Sequence, residues 1–200
     1  MVTASARDEG ESPMRLPYYG VLWLVLHLAS LGVGAQTAGA NPSVRLLDFE
    51  SSVGAGWEQE QPSSTMRLLQ YRIPSAAGAG NAAFVAYYFG AGQGGSNEAN
   101  IERWRSQFTT ADGGPVEPVI RTSMAGGLPV TLVELRGSYA RSVGMGQRVD
   151  AQPDQTLLAA IVETPKGNLF VQLHGPTATV AAARADFEAF LAGLRPATRP

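Results

Sequence analysis

The sequence predicts an α+β domain: a mainly antiparallel sheet with two packed helices, in the order β-β-α-β-β-β-β-α. Three observations carry this. Residues 82–108 read as a buried strand, a glycine-rich turn and an amphipathic helix. Residues 156–163 and 168–174 are two strands joined by Pro165-Lys166-Gly167, which makes them a hairpin. The helices do not alternate regularly with strands, as a parallel doubly wound sheet would require.

The chain has 200 residues, no cysteine and a formal charge of −2. Met14-Arg15 precedes the apolar run 21–29, and Ala38-Gly39-Ala40 fits a small-residue cleavage site. Residues 1–40 are therefore expected to be a secretory signal peptide cut after Ala40. The acids Asp8, Glu9 and Glu11 are unusual before such a run, and a start at Met14 would leave a short basic leader instead. The competing reading is an uncleaved membrane anchor over residues 16–35, a run interrupted by Pro17, Ser30, Gly32 and Gly34. The first reading places the mature protein in the periplasm or outside the cell, the second on the membrane.

Residues 41–64 are expected to be loosely ordered, with residues 44–49 as a short edge strand and Gly54-Ala55-Gly56-Trp57 as a turn delivering a tryptophan to one end of the core. The main domain is expected over residues 65–196, followed by a tail over 197–200. Residues 66–73 alternate. Leu69, Tyr71 and Ile73 point one way with Arg67 as the polar exception, and Gln70 and Arg72 point the other. Residues 75–81 connect to the central strand, 82–89, which is apolar on both faces.

The turn that follows holds Gly90, Gly92, Gln93, Gly94 and Gly95. Ser96 is placed to cap the next helix, with Glu98 in its first turn. Ile101, Trp104 and Phe108 recur at helical spacing. Gly90, Gly92 and Gly95 match the dinucleotide-binding fingerprint, and Asp112 stands near the expected distance. The fingerprint requires a strand ending at that acid, whereas Asp112 lies in the turn sequence Ala111-Asp112-Gly113-Gly114-Pro115. The glycines are therefore read as a packing turn, with no cofactor.

Strands are expected at 116–123 and 128–135, and a long loop over 136–153. After the hairpin, residues 177–194 form the second helix. Val180, Phe187, Phe190, Leu191 and Leu194 are its buried stripe, and Pro196 stops it.

Gly56-Trp57, Tyr87-Tyr88-Phe89-Gly90, Gly94-Gly95, Asn100 to Trp104, Gln107-Phe108, Gly175-Pro176 and Phe187 to Leu191 resemble a family of uncharacterised secreted bacterial proteins. The resemblance covers residues 56–194. In element order the chain is also similar to the PsbP/Mog1-like α+β fold, which includes photosystem accessory and small binding proteins. The resemblance implies a fold and an envelope location, and carries no catalytic residues.

Composition narrows the chemistry. Removing residues 1–40 takes away two arginines and three acids, leaving a charge of −1. Such a chain has no electrostatic footprint for nucleic acid. Without cysteine there is no thiol nucleophile, thiolate zinc site or acylated-cysteine anchor. One histidine, His174, follows residue 40, so no site can use two. There is no calcium-loop pattern and no G-x-S-x-G elbow. The candidate binding surface is Gly92, Gln93, Asn97, Asn100 and Arg103, beside Trp104. The expected function is a non-catalytic binding or accessory protein of the cell envelope, with an envelope protein or small ligand as partner. The alternative is a secreted hydrolase using His174. Contact with a membrane is expected only if residues 16–35 are retained.

Overall fold

The structure is a computed structural model that describes residues 41–140 and 151–198, together with the backbone of residues 142–143 and 147–148. The expected leader lies outside the described residues. The architecture is α+β, with antiparallel ladders between all paired strands among the described residues.

The strands in chain order are β1 (Ser43–Leu46), β2 (Phe49–Ser52), β3 (Glu58–Gln59), β4 (Arg67–Ile73) and β5 (Ala82–Tyr88). Helix α1 (Asn97–Arg105) follows, then β6 (Phe108–Thr109), β7 (Val119–Ala125) and β8 (Leu128–Tyr139). A small hairpin, β9 (Ser142–Val143) and β10 (Gln147–Arg148), precedes β11 (Gln152–Thr164) and β12 (Gly167–Pro176). Helix α2 (Thr177–Ala192) and β13 (Arg195–Pro196) close the chain. The element order is thus longer than expected.

The main sheet runs β3-β4-β5-β12-β11-β8, and the outer edge of β8 is shared by β6 and β7. The hairpin β11–β12 lies at its centre, which explains its apolarity on both faces. On one face, Leu158, Ala160 and Val162 of β11 and Leu169, Val171 and Leu173 of β12 pack with Val180, Phe187 and Phe190 of α2. On the other, Leu157, Ala159 and Ile161 join Phe170, Trp104 of α1, and Phe108.

Residues 41–64 are not loose. They form β1, β2 and β3, bury Leu46 and Val53 completely, and lay Trp57 against Phe84 with ring centroids 4.8 Å apart. The first residue of the tail is likewise pinned, with Ala197 N–H donating to the Asp48 carbonyl at 2.7 Å. The expected loop over 136–153 is shorter, because β8 runs on to Tyr139 and β11 begins at Gln152. Helix α1 stops at Arg105, so Phe108 reaches the same apolar cluster from β6 and not from the helix.

Candidate binding cavity

Where α1 leaves the sheet uncovered, a cavity of about 400 Å³ opens on the α1 face. Alternation on two paired strands supplies its floor. Ala83, Val85 and Tyr87 come from β5, and Phe170, Gln172 and His174 from β12, while their neighbours Phe84, Ala86, Val171 and Leu173 face the α2 side. Arg103 and Trp104 of α1 and Gln107 in the turn after it form one wall, with Phe89, Leu157 and Tyr139 completing it.

Arg67 reaches this cavity through an irregularity. A register shift between Arg67 and Leu69 pairs Arg67 with Tyr87 and Leu69 with Ala86. The bulge turns Arg67 to the cavity face, opposite Leu69, Tyr71 and Ile73. Simple alternation had put it on their face. Its guanidinium sits 5.4 Å from the Tyr87 ring centroid and donates to Gln70 Oε1 at 2.7 Å. Gln70 in turn donates to Glu60 at 2.9 Å.

Arg103 is held in a similar way, donating to Asn100 Oδ1 at 2.6 Å. Asn100 is 2 % exposed, and its amide nitrogen donates to the carbonyls of Gly94 and Ser96 at 2.7 and 2.8 Å. One buried amide thus ties the glycine turn to the helix and fixes the arginine. Ser96 caps α1 as expected, accepting from the Ala99 N–H at 3.1 Å. Gly94 has φ +95°, and a Cβ there would stand 2.8 Å from the Phe170 ring. The turn therefore packs directly on the cavity's aromatic wall.

His174 sits at the end of the floor, its ring 4.2 Å from Tyr139 and 6.0 Å from Phe108. Its Nε2 is closed off from solvent and has no hydrogen-bond partner. Desolvation pushes its pKa down from 6.5 to about 4, so the ring is neutral near pH 7.

Of the five candidate surface residues, Arg103 alone lines the cavity. Asn100 supports it from behind. Asn97 accepts from Asn168 and donates to Glu163, fastening α1 to the β11–β12 hairpin. Gly92 and Gln93 lie on the turn outside the lining. Arg67, Gln107, Gln172 and Tyr139 were missed. The available signal was polar residues at Gln172 and His174 on an otherwise apolar strand, marking a face that is not sealed by packing.

Asp112 lies in a tight turn, where Thr110 Oγ1 donates to it and the Gly113 N–H donates to the Thr110 carbonyl. The strand after α1 pairs antiparallel with β8, so the crossover of a dinucleotide fold is not formed there. Among the described residues, no group of three or more histidines and acids is placed to hold a metal. No helix among them is long and apolar enough to cross a membrane.

No known family model matches the chain, and no curated protein matches it significantly. Solved structures do resemble it. A Pseudomonas aeruginosa protein of unknown function, PA94, has a TM-score of 0.45 at 17 % identity, covering 80 % of this chain and 98 % of its own. LpqN of Mycobacterium tuberculosis, involved in cell envelope biogenesis, has a TM-score of 0.47 at 14 % identity, covering 80 % and 86 %. Likeness at this level transfers no activity, ligand or location.

Proposed function

We propose that this chain is a non-catalytic binding protein of the bacterial cell envelope, and that the α1-face cavity is where it holds a small ligand. The observation that carries the reading is the cavity itself. It is preformed, of ligand size, and lined by Arg67, Arg103, Gln107, Gln172 and His174 set among aromatic and aliphatic side chains. The envelope location rests on the apolar run 21–29 and the small-residue site at Ala38–Ala40. The PsbP/Mog1-like assignment rests on Gly56-Trp57 and on the succession of longer elements.

The hydrolase alternative requires a nucleophile and an orienting acid at His174. Among the described residues lining the cavity there is no serine, threonine, aspartate or glutamate. A neutral imidazole with a pKa of about 4 is also a weak base.

The test is a saturation-transfer NMR screen of a small-molecule library on wild type and on Ala83→Trp, which fills the floor. Ligands should bind wild type, shift the Trp104 indole resonance and be lost in the variant. Hydrolysis of ester, amide or phosphoester substrates that disappears in His174→Ala would establish the hydrolase instead.

A further inference from the structure

We infer that the ligand of this cavity is an organic anion with a flat apolar body, its acidic group received by Arg67 and Arg103. The inference rests on the reading of the cavity as a ligand site, and adds the chemical class.

Charge is distributed unevenly among the arginines. Arg72, Arg105, Arg136, Arg184 and Arg195 each meet a carboxylate within the chain, as does Lys166. Arg45, Arg67, Arg103 and Arg121 have no carboxylate within ion-pair distance among the described residues, and of these Arg67 and Arg103 line the cavity. No acid shares that lining among the described residues. Glu60 stands behind Gln70, one hydrogen bond removed from Arg67.

Each guanidinium is oriented without being neutralised. Its hydrogen bond goes to a neutral amide oxygen, of Gln70 for Arg67 and of Asn100 for Arg103. A guanidinium carries five N–H donors, so one amide oxygen leaves most of them available. A fixed planar fork of this kind suits a carboxylate, sulfonate or phosphate. His174 is neutral near pH 7 and Gln107 and Gln172 are uncharged, so the positive sign stands uncancelled within the lining. Apolar walls concentrate the field of the two cations in the cavity.

The rest of the lining sets the ligand's body. Tyr87 and Phe89 are parallel to within 3°, and Phe170 meets both Phe89 and Trp104 edge-on. Tyr87 and Phe89 are the half-buried rings of this lining, set over Phe170, Trp104, Val85 and Leu157, each of which is less than a tenth exposed. A cavity of about 400 Å³ is far larger than an inorganic anion needs, and its half-buried aromatic rings offer such an ion nothing.

The experiment uses three probes of one shape: 1-naphthaleneacetate, 1-naphthaleneacetamide and 2-(1-naphthyl)ethylammonium. Affinities are measured by calorimetry and the site by NMR shifts of Trp104 and His174. The carboxylate should bind roughly tenfold tighter than the amide, with the ammonium weakest. Arg67→Gln with Arg103→Gln should bring the carboxylate to within about threefold of the amide. Equal binding of carboxylate and amide at the cavity would overturn the anionic class and leave the ligand site standing. Probes that shift neither Trp104 nor His174 would overturn both.

Discussion

Acidification should destabilise this protein through His174, and the size of the effect follows from where the ring sits. His174 is wedged between Tyr139 and Phe108 with its Nε2 closed to water, and its pKa falls to about 4 from 6.5. The folded state therefore resists a proton that the unfolded chain accepts. Between those two values the unfolded state binds more protons, so stability rises with pH. The contribution is complete above pH 6.5 and is lost as pH falls toward 4. A full pKa unit corresponds to about 1.4 kcal/mol, giving a loss of about 1.4 kcal/mol by pH 5.5 and about 3 kcal/mol by pH 4. The assay is urea unfolding from pH 7.5 to 4, comparing wild type with His174→Phe, which keeps the ring and removes the titration. The difference between the two curves isolates His174. His27 and exposed acids such as Glu98 and Asp112, whose pKa values are lowered by local hydrogen bonds, are common to both proteins. Parallel loss of stability in wild type and variant between pH 7 and 5 would refute the argument, because it would mean the folded ring is already hydrated.

Other outcomes follow from the packing and the leader. Gly94→Ala should destabilise by about 2–4 kcal/mol in urea unfolding, since it combines positive φ with a methyl driven into Phe170, whereas Gly92→Ala, with φ +67° and open space around it, should cost only about 1 kcal/mol. Trp104→Ala should cost about 3–5 kcal/mol as truncation of a side chain only 2 % exposed, measured in the same way. N-terminal sequencing of protein from the producing cell should begin at or near Asn41, and recovery of residues 16–35 with the membrane would favour the anchor.

Local rules were enough for much of the fold. The two-sided apolarity of residues 82–89, the Ser96 cap, the α2 stripe and the hairpin at Pro165-Lys166-Gly167 depend on neighbours within a few positions, and each has its counterpart in the structure. The order of the fold's smaller pieces was less legible. The strands β1 and β2 and the tail look polar and irregular alone, and are ordered by contacts such as Ser51 Oγ donating to the Phe190 carbonyl at 2.6 Å, across 139 positions of sequence.

The site shows the same division. Composition alone determined that there is no thiol chemistry, and that any histidine chemistry after residue 40 must use His174. The expectation that Arg103 stands beside a buried Trp104 followed from helical spacing. That Arg67 joins Arg103 was decided by a bulge, and bulges are set by how two strands pair rather than by the residues of one. That His174 loses its affinity for protons was decided by Tyr139 and Phe108, which arrive from β8 and β6. Spacing along the chain reports which face of an element a side chain takes. Burial, charge pairing and cavities depend on which distant faces meet, and only the assembled sheet brings those together.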